Sequence, residues 1–234
     1  MISKETPFVD IHTHHGDQRL CTCGIHPWWL DGDPQPMWIA EALNHLESLL
    51  KENKIVAIGE TGIDRFHQAT LNLQLEVFEK HILLSEQYQK PLIIHGVKAT
   101  ADILRLHKKH QPKQTWIIHG FNGNIEEVRQ LTERGVRLSV GESLFYPNRK
   151  IHESLKSIPL DDLFLETDTS GKTIQEVYEK AAELLNLSLE VLKERIFANF
   201  AQLNIINKLW NNGTTEPGCS SATLALTNLG RAMC

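Results

Sequence analysis

His12 and His14 stand one residue apart at the close of the apolar run Phe8-Val9-Asp10-Ile11. In an extended strand, side chains at i and i+2 point the same way, so two imidazole nitrogens face one point. A metal ion needs that arrangement from its first ligands. Taken alone, the pair reads more simply as two solvated histidines at a strand end. What changes the reading is how the later apolar runs end. Ile55-Val56-Ala57-Ile58 leads to Gly59-Glu60, Leu92-Ile93-Ile94 to His95, and Trp116-Ile117-Ile118 to His119. Leu163-Phe164-Leu165 leads to Glu166-Thr167-Asp168, and the run before Gly24-Ile25 ends at His26-Pro27. Four or five imidazoles and two carboxylates exceed what one metal takes. They suit two divalent ions about 3.5–4 Å apart that share a bridging ligand.

The intervening stretches have helical spacing. Ile39, Leu43, Leu46 and Leu50 repeat every three to four residues, as do Leu71, Leu75, Phe78 and Ile82. Asn124 with Glu127, and Thr173 with Glu176, have the spacing of capping boxes. A last helix runs from about Ser188 towards Phe200. Strands apolar on both faces, alternating with helices, call for a parallel sheet covered by helices. Seven strands are legible, and a TIM-type (β/α)8 barrel with peripheral helices trimmed fits best. An open doubly wound sheet is the alternative, but its polar residues would cluster at one switch point. A barrel gathers the carboxyl ends of all its strands into one ring. By chain order, His12, His14 and Asp168 would then hold one ion and His95 and His119 the other, with Glu60 bridging. His26 sits where it is a ligand, an outer support or a substrate contact. Asp168 and Glu60 are the candidate catalytic carboxylates. Glu142 and His15 read as solvated, and His45, His67, His81, His107, His110 and His152 as surface residues of helices and loops.

The formal net charge of −5 implies no broad basic surface, so a nucleic-acid partner would be held locally or through metal ions. Cys21, Cys23, Cys219 and Cys234 form no Cys-x-x-Cys pair, and Met1–Pro7 has no apolar signal core. A reduced, cytoplasmic protein is expected, with Cys21 and Cys23 packed as small hydrophobes. No apolar run approaches membrane-spanning length, and no obligate protein partner is evident. Residues 1–210 read as a single domain, and 211–234, rich in Gly, Ser, Thr and Asn, as a loosely held tail.

Several pieces together carry a family likeness. They are Asp10-Ile-His-Thr-His14, Gly24-Ile-His-Pro27, Ile58-Gly-Glu-Thr-Gly-Ile-Asp64, Gln74 with Phe78, Ile94-His95, His119-Gly-Phe-Asn-Gly123, Glu166-Thr-Asp168 and Asn199. The chain resembles the TatD-type metal-dependent hydrolases of the amidohydrolase barrel superfamily. The resemblance implies a distorted (β/α)8 barrel with two divalent ions, zinc, manganese or magnesium. Their ligands would be His12, His14, Glu60, His95, His119 and Asp168. It also implies phosphodiesterase or deoxyribonuclease activity, with DNA or a small phosphodiester as substrate. Three features depart from that pattern. Nine residues separate His14 from Gly24, so the first βα unit is trimmed. The strand ending at His95 continues Gly96-Val97-Lys98, so an expected arginine is absent and Lys98 would stand in. After Asp168 the chain passes through Thr169-Ser170-Gly171-Lys172 directly to a helix. Arg65, just after Asp64, is a further candidate phosphate contact. Hydrolysis of a carbon–nitrogen or ester bond is the alternative chemistry; a metal-holding module without turnover is the third reading.

Overall fold

The computed structural model describes residues 6–14, 22–32 and 36–203. They fall into two compact units, one of residues 22–117 and one of 6–14 with 118–203. In both, short parallel strands alternate with helices, the arrangement of the TIM-type α/β class. The trimmed connection after His14, the tail from 211, His15, Cys21, Cys219 and Cys234 lie outside the described residues.

In the unit of residues 22–117, β1 (Thr22–Cys23) lies parallel to β2 (Ala57–Asp64), which lies parallel to β3 (Leu92–Val97). β4 (Trp116–Ile118) follows in sequence, and the Leu92 N–H bonds the Thr115 carbonyl at 2.9 Å. The connecting helices are α1 (Pro36–Lys51), α2 (Leu71–Tyr88) and α3 (Thr100–His110). The strands are buried on both faces, as their unbroken apolar runs require.

The buried stripe of α2 departs from the sequence reading. It carries Val77, Phe78 and Ile82 but also Gln74, His81 and Ser85, while Leu71 and Leu75 are only partly buried. His81 is therefore not a surface residue. Its Nε2 accepts the Ile25 N–H at 3.1 Å, and its Nδ1 donates to the Val77 carbonyl at 2.8 Å. Full burial pulls its pKa down to about 4, so it stays neutral.

β2 is irregular where chemistry is expected. Ile58 pairs with Leu92 but Thr61 pairs with Ile94, so a bulge holds Gly59 and Glu60. A bulge re-aims the side chain it carries. The glycines on either side make this possible. A Cβ on Gly62 would lie 2.1 Å from the His95 carbonyl, and Gly62 has φ 145°. Only glycine lets β2 approach β3 this closely.

In the second unit, β5 (Arg137–Val140) pairs in parallel with β6 (Leu163–Leu165). Helices α4 (Ile125–Thr132), α5 (Ile151–Ser154), α6 (Ile174–Leu185) and α7 (Leu189–Ala201) complete it. Both expected capping boxes form, at Asn124/Glu127 and Thr173/Glu176. The expected first strand is reduced to a single parallel bridge, Thr13 to Asp168. Its backbone still follows β6 and its extension. Ile11 N–H bonds Leu165 O, Asp168 N–H bonds His12 O, and His14 N–H bonds Asp168 O, at 3.0–3.1 Å. Tyr178 clamps the segment from behind: its hydroxyl accepts from Val9 N–H at 3.1 Å and donates to Val9 O at 3.0 Å. No helix among the described residues is long and apolar enough to cross a membrane.

Candidate metal centre

Each unit gathers its own set of ligand-type atoms. In the unit of residues 22–117 the set is His26, Glu60 and His95; in the other it is His12, His119 and Asp168. Within each set the candidate atoms lie within 4.8 Å of one another. The structure thus groups His119 with His12 and Asp168, where chain order alone assigned it to the ion of His95.

The first set is buried and closely bonded. Glu60 Oε1 lies 2.6 Å from His95 Nδ1 and 3.0 Å from His26 Nε2. The proton bookkeeping is constrained. The Trp28 N–H donates to His26 Nδ1 at 3.1 Å, so a neutral His26 ring carries its proton on Nε2. His26 then presents an N–H, not a lone pair, to Glu60. Its opposite neighbour is arranged the other way. His95 faces a carboxylate on each side: Nε2 lies 3.2 Å from Asp64 Oδ2, and with a proton there Nδ1 turns its lone pair to Glu60. A lone pair and a carboxylate oxygen 2.6 Å apart need a positive charge between them: a proton, or a bound cation. Imidazole and carboxylate donors fit zinc or manganese, and the carboxylate also admits magnesium.

Asp64 escaped the sequence reading, although it closes the Gly-Glu-Thr-Gly-Ile-Asp motif. Its buried carboxylate accepts the Trp28 indole N–H at 2.7 Å and the Phe66 N–H at 2.9 Å in addition to facing His95. Burial pushes its pKa up, but these donors, Trp28 first, more than offset it and hold the group below its ordinary value. A metal-ligating histidine is oriented by such a carboxylate behind it. Gln74 braces the same point: its Oε1 accepts the Asp64 N–H at 2.8 Å, and its Nε2 donates to the His67 carbonyl at 3.0 Å.

The second set is more exposed at His14 and Asp168. His12 Nε2 and His14 Nε2 lie 3.8 Å and 3.5 Å from Asp168 Oδ1, too far for hydrogen bonds but suited to atoms around one cation. The Asp168 and His14 side chains are 36% and 47% exposed, so solvent reaches this set. Here too a carboxylate stands behind a histidine. Glu166 Oε1 lies 3.5 Å from His119 Nδ1 and accepts the Gly120 N–H at 2.6 Å. Burial raises the pKa of Glu166, and His119, with His12 and Ser139, more than reverses it. Beside His12, Asp10 is pushed up to about 6 by burial, against the pull of hydrogen bonds from the Thr167 hydroxyl and N–H.

The remaining candidates have structural partners. Arg65 Nε donates to the buried Asp102 at 2.6 Å, and Lys98 Nζ stands 4.3 Å from the centre of the Phe66 ring. Both belong to the unit that holds Glu60 and His95.

The family model described as TatD related DNase matches residues 8–204. The chain is 33% identical over 156 residues to an uncharacterized metal-dependent hydrolase of Buchnera aphidicola, covering 64% of this chain and 56% of that protein. It is 31% identical over 183 residues to the uncharacterized metal-dependent hydrolase YabD of Bacillus subtilis, covering 71% and 72%. The chain thus spans little more than half the length of some of the curated relatives it matches. Among solved structures, it is similar to YjjV, a TatD homologue of Escherichia coli (TM-score 0.70, 24% identity, 79% of this chain and 76% of that one). A TatD family hydrolase of Entamoeba histolytica matches with TM-score 0.63 and 21% identity over 79% and 74%. At these identities the structural matches speak to the fold, which is the TIM-barrel type.

Proposed function

The chain belongs to the TatD related DNase family, and from that premise we propose that it hydrolyses phosphodiester bonds with the help of divalent metal ions. The observation that carries the reading is the pair of clusters, Glu60/His95 with His26 as a donor beside them and His12/His119/Asp168, each with a buried carboxylate behind one of its histidines. Bound divalent ions supply an acidified water and neutralise charge building on the phosphate.

The side chains divide the remaining work. Glu60 and His95 hold a cation in one unit; His12, His119 and Asp168, with His14 beside them, hold one in the other. His26 has its proton fixed on Nε2 and donates it to an oxygen, Glu60 at rest and a phosphate oxygen during turnover. Asp168 is the exposed carboxylate of its set and accepts the proton lost by the attacking water. DNA is the substrate favoured by the family resemblance, with small phosphodiesters as surrogates.

The test is turnover of single-stranded DNA and of bis(p-nitrophenyl) phosphate with added Mn²⁺, Mg²⁺ or Zn²⁺. EDTA should abolish it, and His95→Ala and Asp168→Ala should each lower kcat by at least about 100-fold, the scale of a lost acid–base or electrostatic contribution. Unchanged turnover in both variants overturns the mechanism. Turnover of amide or lactone substrates alone would move the reading to carbon–nitrogen or ester hydrolysis.

A further inference from the structure

Trp28 and Trp29 follow His26-Pro27 in one short 3-10 helix but serve opposite ends. Trp29 packs against the core formed by Ile25, Leu30, Ile39, Ala42 and Val77. Trp28 is 53% exposed, yet it is not loose. Its indole N–H is fixed to the buried Asp64 at 2.7 Å, and the His26 and His95 rings stand nearly perpendicular to it, 4.9 Å and 5.7 Å away between centres. A large aromatic ring is thus locked at its polar edge beside two histidines of the candidate centre, with the His67 ring 5.8 Å away at 31°, and about half of it remains exposed.

Its surroundings carry the charge such a surface needs to receive a nucleotide. The same Asp64 carboxylate accepts the backbone N–H of Phe66, which is 67% exposed. Lys98 Nζ rests 4.3 Å from the centre of that ring, so an ammonium sits on the aromatic residue that shares Asp64 with Trp28. Exposed aromatic rings joined through one carboxylate, one of them carrying a lysine, are a combination that can hold a base by stacking while its phosphates meet positive charge.

We propose that Trp28 is a stacking platform for a nucleobase adjoining the scissile phosphodiester, so that the chain selects nucleotide-containing phosphodiesters over those lacking a base. The proposal rests on the phosphodiesterase reading above. The experiment compares an octamer of thymidylate with an octamer of the same charge made of tetrahydrofuran abasic units. Wild-type kcat/KM should favour the base-bearing octamer by about 5- to 150-fold, the range for one stacked base. Trp28→Leu should bring that ratio close to one, and Trp28→Phe should keep part of it. Because Trp28 also bonds Asp64, both variants will lose some activity; the ratio is insensitive to this, since both substrates meet the same altered centre. A wild-type ratio near one, or a ratio unchanged in Trp28→Leu, overturns the platform. If neither octamer is cleaved, the phosphodiesterase reading fails, and the platform is then read from binding. The fluorescein-labelled thymidylate octamer must bind wild type at least 5-fold more tightly than the abasic one, and equal affinities overturn it.

Discussion

The two ligand sets use the same residue types but are built differently. Around Glu60 and His95, almost every polar atom is engaged by another, at 2.6–3.2 Å, and the side chains are nearly buried. Around Asp168 the corresponding separations are 3.5–3.8 Å, and solvent reaches the carboxylate. Burial in the first set demands hydrogen bonding, so the side-chain positions are set before a cation arrives, and a proton on His95 Nδ1 can hold the place a cation takes. The comparison teaches a division of labour: one set is preorganised to hold a cation, and the other is open to water and able to pass a proton.

If the first set owes its geometry to close backbone approach, Gly62→Ala should do most damage. Its Cβ would meet the His95 carbonyl at 2.1 Å, and the φ of 145° is strained for alanine. A loss of more than about 3 kcal/mol in urea unfolding is expected. A loss under about 1 kcal/mol would show that β2 can move away from β3 freely.

The pH dependence of stability sharpens the same contrast. His81 supports Ile25, next to His26, in the preorganised unit. Its folded pKa, about 4, lies below the ordinary 6.5, so between these values the unfolded chain binds a proton that the folded chain refuses. The stabilisation is present above pH 6.5 and is lost as pH falls towards 4, by up to about 3 kcal/mol. Urea unfolding of wild type and His81→Gln at pH 7 and pH 5 measures it. The variant should lack this part of the slope, and equal slopes would show that His81 is not held neutral.

Next is the support behind each histidine. Asparagine has one acceptor oxygen and cannot satisfy Trp28, Phe66 and His95 together, so Asp64→Asn should weaken divalent-ion affinity by about 10- to 100-fold. ¹⁵N spectra should show His95 leaving the Nε2–H tautomer. Glu166→Gln keeps an oxygen for the Gly120 N–H and should cost less, below about 10-fold. Equal effects would erase the distinction between the sets.

Much of this was legible in sequence because strand ends announce themselves. Glu60, His95, His119 and Asp168 each close an apolar run, and the caps at Asn124 and Thr173 have unambiguous spacing. Asp64 and Glu166 lie within legible motifs, but their roles depend on standing behind a histidine 31 and 47 residues away in sequence, which no local pattern reveals. His81 was misjudged because a histidine on an amphipathic helix gives no sign of facing inward; only the Ile25 N–H it caps explains it. The first strand shrank to a bridge at Thr13 because Tyr178 and the backbone beyond β6 hold residues 9–14 without a full ladder. The bulge at Gly59-Glu60 likewise lies in a register that periodicity cannot count.

The central claim, that these side chains hold divalent cations, is tested most directly by isothermal titration of the metal-stripped protein with Mn²⁺ and Zn²⁺. The account predicts two ions per chain, with His95→Ala and His119→Ala each removing or weakening one. Absence of binding below millimolar concentration, or binding indifferent to both substitutions, would contradict it.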